Sequence, residues 1–119
     1  MNNLINLFLI ISILLTSSNS LANLKAPSIQ EYKNDTTGIY DSYIYGLESG
    51  LEWASEFYFR KHKIELFCKP SGLELPVVRL RQMIDREISK KPGFFDKYKH
   101  EPLIGLALRN SYIEDFPCR

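Results

Sequence analysis

The sequence predicts a small all-α domain, a bundle of three to four helices clamped by one disulfide, behind a signal peptide that is cleaved. Three observations lead to this prediction. Apolar residues recur at helical spacing in several stretches after Gly38, Pro and Gly lie between those stretches, and an even number of cysteines follows an apolar leader. The length of 119 residues fits one domain.

The amino terminus has the features of an export signal. Leu4–Leu15 is an apolar run that is too short to span a bilayer, which needs about 20 residues. Ser20 and Ala22 are small residues at the positions that signal peptidase reads, so residues 1–22 are predicted to be the signal peptide. The alternative is an uncleaved membrane anchor, because Met1–Asn3 carries no Lys or Arg.

Export determines how the two cysteines are interpreted. In an oxidising compartment, Cys68 and Cys118 are predicted to form a disulfide. The bridge closes a loop of about 50 residues, which stabilises the fold by roughly 4 kcal/mol in the chain-entropy account. The alternative is a cysteine nucleophile activated by His62 or His100.

The mature chain starts with a segment that has no periodic pattern. Residues 23–36 are polar and contain Pro27, so they are predicted to be a flexible N-terminal arm, followed by a helical domain over residues 37–119. Thr36 or Thr37 is the expected cap of the first helix. The apolar face of this helix occupies one arc of the helical wheel: Tyr40, Tyr43, Ile44, Leu47, Leu51, Ala54, Phe57 and Tyr58.

Two further features of the first helix suggest contacts. Gly46, Gly50 and Ala54 follow one edge of the apolar arc, where we expect another backbone to approach closely. The opposite face mixes acidic and aromatic side chains, which indicates a partner surface, with a solvated face as the alternative. The residues of that opposite face are Asp41, Tyr45, Glu48, Glu52, Glu56 and Phe59.

The later elements follow from turn residues and apolar spacing. Period-two character over residues 57–67 allows a short extended piece there, and the turn over residues 68–72 follows it. Residues 93–101 hold three aromatics and form a packed loop or one helical turn, and Pro102 starts the last helix. The second helix begins near Glu74 or Leu75, ends at Pro92-Gly93 and carries the apolar stripe Val77, Leu80, Ile84 and Ile88.

Charge and motifs exclude several functions. With 15 Lys and Arg against 14 Asp and Glu, the net charge of +1 provides no broad attraction to nucleic acid or anionic lipid. Two cysteines cannot supply the about four ligands of a structural metal site, so no metal or cofactor is expected. The chain lacks a phosphate-binding glycine loop, a His-x-x-x-His pair and a nucleophile elbow. We therefore expect no enzyme and no catalytic residue.

Four short motifs occur in a definite order. Tyr43-Ile44-Tyr45-Gly46 lies on the first helix, and Cys68-Lys69-Pro70-Ser71-Gly72 opens the second. Pro92 closes the second helix, and Phe116-Pro117-Cys118 lies at the carboxyl end. With the export signal, this order from Gly38 to Arg119 resembles the Rap/Tai family of immunity proteins, which are associated with type VI secretion in Gram-negative bacteria.

The resemblance implies a function and a location. Members of this family are small helical periplasmic proteins, often homodimers, that bind and block a secreted peptidoglycan-cleaving amidase. The two family cysteines are similar in placement to Cys68 and Cys118. The resemblance therefore implies a protein partner, and the predicted cleavage of the signal peptide implies no stable membrane insertion.

Candidate amidase-binding residues come from two stretches. They are the aromatic loop with Phe94, Phe95, Tyr98 and His100, and the first helix with Tyr45, Glu48, Glu52 and Phe59. Core packing of the phenylalanines and solvation of the glutamates are the alternatives. Two other functions stay open: an exported envelope structural or small-ligand-binding module without a toxin partner, and a hydrolase that uses a free thiol.

Overall fold

A computed structural model describes residues 25–119 of the chain, and the predicted signal peptide lies outside the described residues. The described part contains helices and no strand. The helices are α1 (Ile29–Lys33), α2 (Asp41–His62), α3 (Val77–Lys90), α4 (Pro92–Lys97) and α5 (Ile104–Asp115). The all-α prediction is confirmed, although residues 25–119 form five helices rather than three to four. None of these helices combines the length and the apolar content that a membrane crossing requires.

The core is built on the pairing of α3 with α5. Leu80 and Ile84 of α3 and Leu108 and Tyr112 of α5 are almost fully buried, and the predicted stripe of the second helix is the face that α3 turns inward. The Ser111 hydroxyl donates to the carbonyl oxygen of Met83 at 2.7 Å, so this buried polar side chain has a hydrogen-bond partner. Burial of apolar surface in this interface stabilises the fold.

The predicted flexible arm is wrong over the part that the structure describes. Ser28 and Glu31 form a reciprocal capping box that starts α1. Ile29 and Tyr32 are buried at 1% and 3% exposure, and the Tyr32 hydroxyl donates to Asp85 at 2.8 Å. The arm shows no period because α1 has only 5 residues and buries two of them. Two apolar residues are too few for a periodic signal.

The start of α2 is organised by Asp35 rather than by Thr36 or Thr37. The Asp35 carboxylate is 1% exposed and accepts hydrogen bonds from the backbone amides of residues 37–40 and from Arg81, the last at 2.6 Å. Burial on its own would raise the pKa of Asp35, but Arg81 and the amides hold it well below its usual range. Gly38 adopts φ 77°, the left-handed conformation that this tight loop requires.

Three other boundaries differ from the predictions. The second helix starts at Val77 because Pro76 is extended and stands at its N-cap, and the last helix starts at Ile104 rather than Pro102. Pro92 ends α3 and also occupies the first turn of α4, the position where proline is best tolerated in a helix. No strand forms over residues 57–67, since α2 continues to His62 and residues 63–67 are irregular.

The predicted disulfide is confirmed. Cys68 and Cys118 are bonded, with their Cα atoms 5.0 Å apart, and the Cys68 amide donates to the Phe116 carbonyl at 2.7 Å. The bridge fastens the carboxyl end to the segment that follows α2. Because both sulfurs are bonded, neither is the thiol that the nucleophile alternative requires.

Candidate partner-binding surface

The carboxyl-terminal part of helix α2 is largely exposed. The buried residues of α2 are Ile44 and Ser55, and residues 57–66 are all exposed. We call residues 57–66 the α2 tip. The tip carries large apolar side chains with exposed fractions of 38% to 64% together with a basic run: Phe57, Tyr58, Phe59, Arg60, Lys61, His62, Lys63, Ile64 and Leu66.

The end of the tip is held in place although its surface is exposed. Lys63 adopts φ 58°, which ends the helix, and its amide donates to the Phe59 carbonyl at 2.8 Å. Phe67 then turns inward and packs edge-on against Tyr112, with ring centroids 5.0 Å apart. Cys68 follows with its disulfide. The tip is therefore anchored both by the helix and by the segment that leaves it.

A groove runs between α2 and residues 65–76. Two cavities of about 560 and 610 Å³ lie along it and share Glu52, Lys69, Leu73 and Glu74, so they form one continuous surface. We call this surface the acidic groove, after the carboxylates that line it: Glu48, Glu52, Glu56, Glu65 and Glu74. Its single lysine, Lys69, contacts Glu52 and lies 3.7 Å from Glu48.

Glu48 connects the groove to the core. Its side chain is only 13% exposed, and it accepts a hydrogen bond from the Tyr112 hydroxyl at 2.5 Å. Burial, and then the carboxylate of Glu48, raise the pKa of Tyr112 well above its usual range. Glu48 is thus a partly buried hydrogen-bond acceptor rather than part of a freely solvated face.

Tyr45 has a similar double role. Its hydroxyl oxygen accepts a hydrogen bond from the Val77 amide at 2.9 Å, which satisfies one free donor at the start of α3. Its side chain is nevertheless 45% exposed and lines the groove. Tyr45, Glu48, Glu52 and Phe59 all line the acidic groove, so the four helix residues predicted for partner binding share one surface.

The four aromatic-loop candidates lie on α4 and the turn after it. Phe95 is 1% exposed and belongs to the core. Core packing is the alternative to partner binding that the sequence analysis gives for the phenylalanines. Phe94 and Tyr98 are exposed at 41% and 38%, with ring centroids 5.0 Å apart, and His100 is exposed. None of the four lines the acidic groove. The structure therefore offers two separate candidate surfaces.

Two expectations about α2 are wrong. Ala54 and Phe57 belong to the predicted apolar core face but are exposed, because both point to a different side of α2 from its buried residues Ile44 and Ser55. Gly46 and Gly50 were expected to touch another backbone, yet no described atom lies within 4 Å of a Cβ built on either one. Close approach to α2 occurs instead at Gly105 of α5, where an added Cβ meets Leu47 Cδ2 at 3.3 Å.

Trp53 was missed as a surface residue. It is 68% exposed and was assigned to neither face of the first helix. The signal that could have identified it is the distribution of charge on the wheel. When successive residues are placed about 100° apart on a helical wheel, Gly50, Trp53 and Phe57 lie on the same side of α2, and no Asp or Glu of α2 lies on that side.

One group of side chains brings together atom types that bind metals. Glu65 Oε2 lies 3.0 Å from Cys68 Sγ, and Cys118 Sγ is adjacent. The two sulfurs are bonded to each other and offer no thiolate, so this group has one carboxylate as its effective ligand.

Comparisons of the chain with family models, with curated proteins and with solved structures found no match.

Proposed function

We propose that this protein is a periplasmic immunity protein that binds a secreted peptidoglycan amidase and occludes its cleft. The observation that carries the proposal is the α2 tip, residues 57–66, which is exposed throughout and anchored at both of its ends. An inhibitor that acts by occlusion needs such an accessible and anchored segment. The order of motifs, which resembles that of the Rap/Tai family, and the disulfide, which suits an oxidising compartment, also support the proposal.

The composition of the tip suits a protein interface. Phe57, Tyr58 and Phe59 are exposed beside Arg60 and Lys61. Aromatic and arginine side chains contribute most of the binding energy at protein interfaces. Burying an exposed aromatic ring in an enzyme cleft removes apolar surface from water and requires little ordering of the side chain.

The anchoring of the tip also favours tight binding. A flexible loop would lose conformational entropy on binding, at about 0.5–1.5 kcal/mol for each mobile side chain that becomes ordered. Here the helix on one side and Phe67 with the disulfide on the other position the tip before a partner arrives. The acidic groove beside the tip then gives a second surface, which suits a basic region of the partner.

A second candidate function is supported by the groove itself. Its cavities of about 560 and 610 Å³ fall in the range of small-ligand sites. Carboxylates around one lysine favour a cationic ligand such as an amine. In this case the protein is an exported envelope module that binds a small ligand or has a structural role, without a toxin partner.

The proposal is tested by capture and inhibition. The mature oxidised chain is the bait, the products of reading frames adjacent to its gene are the prey, and peptidoglycan cleavage is measured in parallel. A stable complex that stops cleavage by one amidase supports the proposal. Absence of any complex or inhibition contradicts it and favours the envelope module.

Two matched variants locate the surface. Phe59 and Phe94 are exposed at 42% and 41%, so the loss of each ring removes a similar apolar area. We expect Phe59→Ala to weaken inhibition at least about tenfold, the effect of a hot-spot residue, and Phe94→Ala to leave it unchanged. The reverse result would assign the interface to α4. Thermal unfolding of both variants shows whether either ring is needed for folding.

A further inference from the structure

Helix α4 and the turn that follows it carry aromatic and basic side chains side by side on the surface. Five residues of this stretch are exposed and form what we call the α4 patch: Phe94, Lys97, Tyr98, Lys99 and His100. The rings of Phe94 and Tyr98 are in contact, with centroids 5.0 Å apart. No residue of the patch belongs to the α2 tip or lines either cavity of the acidic groove, so the patch is a separate surface.

The two sides of α4 differ in charge. The Tyr98 amide donates to the Phe94 carbonyl at 3.1 Å, so the helical spacing extends to Tyr98. At about 100° per residue, Phe94, Lys97 and Tyr98 fall within one arc. Asp96, the one acidic residue of α4, falls on the opposite side, where it lies 4.0 Å from Lys33 and lines a cavity of about 530 Å³. The patch therefore faces away from the carboxylate of its own helix.

The lysines around α4 are unequally paired, although the net charge of the chain is only +1. Lys33, Lys90 and Lys91 form ion pairs with nearby carboxylates. Lys97 and Lys99 have no such partner among residues 25–119, and Lys97 Nζ lies instead 5.2 Å from the centre of a neighbouring aromatic ring. The α4 patch thus presents positive charge that no described acidic side chain neutralises.

We propose that the α4 patch binds the surface of an anionic phospholipid membrane, with its two rings in the headgroup region and its lysines among the phosphates. Aromatic side chains favour the boundary between headgroups and acyl chains, where one part of the ring is apolar and the other is hydrated. Lysines beside them are attracted to the negative headgroups, and their long stems let the amines reach the phosphates. The contact is peripheral, since the chain lies on the membrane and does not enter its core.

The composition of the α4 patch favours a lipid surface over a protein partner. Protein interfaces are enriched in arginine and depleted in lysine, whereas the patch has two lysines and no arginine. Lysine is a compact point charge, which a layer of phosphates can meet from many directions, while arginine suits fixed paired geometry. The α2 tip differs in this respect, because Arg60 lies among its aromatic residues.

The small size of the α4 patch predicts weak binding that depends on salt. Each lysine close to an anionic surface strengthens binding about fivefold, so two lysines contribute about 25-fold. Salt screens this attraction over about 10 Å at about 0.1 M. No residue of the α2 tip or the acidic groove is involved, so the proposal goes beyond the immunity function and does not depend on it.

The first test is co-sedimentation of the mature oxidised chain with lipid vesicles at low salt. One set of vesicles is an equal mixture of phosphatidylglycerol and phosphatidylcholine, and the other is phosphatidylcholine alone. We expect binding to the mixed vesicles only, and loss of that binding at about 0.5 M salt. Binding to neither set would assign the patch to an acidic protein and overturn the proposal. Equal binding to both sets would show that charge is not used and would also overturn it.

The second test locates the surface with two variants that remove the same charge at the same spacing. Lys97→Gln with Lys99→Gln changes the α4 patch, and Lys61→Gln with Lys63→Gln changes the α2 tip, where both lysines are also exposed. We expect the first pair to weaken binding to the mixed vesicles about 25-fold and the second pair to change it less than about twofold. Equal losses, or a loss with the tip pair alone, overturn the proposal.

The third test concerns the rings. We expect Phe94→Ala to weaken vesicle binding at least about fivefold and Phe94→Trp to bind at least as tightly as the native chain, because tryptophan favours the membrane interface. Thermal unfolding shows that both variants keep the fold. Native-like binding by a folded Phe94→Ala variant contradicts the proposal. The vesicle assay contains no amidase, so its failure is distinct from a failure of the immunity function.

Discussion

Helices α2 and α3 are both amphipathic, but only α3 buries its apolar stripe. Leu80, Ile84 and Ile88 of α3 are 0% to 6% exposed, whereas Phe57 in the arc predicted for α2 is 64% exposed. The difference is coverage, since α5 packs along α3, whereas the last residues of α2, 57–62, are all exposed. An apolar stripe on a helix therefore predicts a contact surface. The fold determines whether another element of the same chain covers that surface.

The sharpest test of this comparison uses two isoleucines, one in each region. Ile84 is 0% exposed in α3 and Ile64 is 53% exposed in the α2 tip. We expect Ile84→Ala to lower the free energy of unfolding by about 2–5 kcal/mol, through lost burial and a new cavity. Ile64→Ala should change it by less than about 0.5 kcal/mol. Urea denaturation measures both, and equal losses would show that the tip is packed in solution.

The disulfide is the next largest effect, because it ties the tip to the core. Replacing Cys68 and Cys118 by serine should cost about 2–4 kcal/mol, since the unfolded chain regains the entropy of a loop of 50 residues. Hydrogen exchange should then lose protection first at the Cys68 amide, which donates to Phe116. A variant with native stability and unchanged exchange would mean that Phe67 and α2 hold the tip without the bridge.

The pH dependence of stability tests two carboxylates that the fold holds in the ionised form, in contrast to the exposed α2 tip. The pKa of Asp35 is lowered by Arg81 and backbone amides despite burial, and the pKa of Glu87 is lowered by Lys91 and Asn110 despite burial. A carboxylate with a lowered folded pKa stabilises the fold above its unfolded pKa. That stability is lost as the pH falls through the folded value.

We therefore expect the melting temperature to fall as the pH drops below about 4, the range in which unfolded carboxylates take up protons. Asp35→Asn should lower stability near neutral pH and flatten this dependence, because the amide keeps a hydrogen-bond acceptor but loses the ion pair with Arg81. Identical pH profiles for the native chain and the variant would show that Asp35 does not contribute.

The smallest expected changes in stability come from replacing two helical glycines by alanine, one with open space around its Cα and one packed against another side chain. Gly50→Ala should stabilise the fold by about 0.5–1 kcal/mol, because alanine is the better helix former and its Cβ meets open space. Gly105→Ala should gain less, since its Cβ would meet Leu47 Cδ2 at 3.3 Å. Thermal unfolding measures both. An equal gain at the two sites would mean that Leu47 moves aside without cost.

Much of the local structure could be predicted from the sequence. The stripe Leu80, Ile84 and Ile88 repeats at helical spacing, and its prediction as a buried helix face is confirmed. Tyr45, Glu48, Glu52 and Phe59 are spaced so that they share one side of a helix, which is why all four line the groove. The disulfide was predicted from the expected export signal and the even cysteine count, because both predictions depend on residue identity alone.

Only the tertiary structure decided which of these faces is covered. The sequence pattern does not show that Tyr32 of a short helix reaches Asp85, that Phe95 enters the core, or that residues 65–76 form the second wall of the groove. Each of these outcomes depends on contacts between residues far apart in the chain. Local spacing determines which side chains share a face of an element, and long-range packing determines what that face meets.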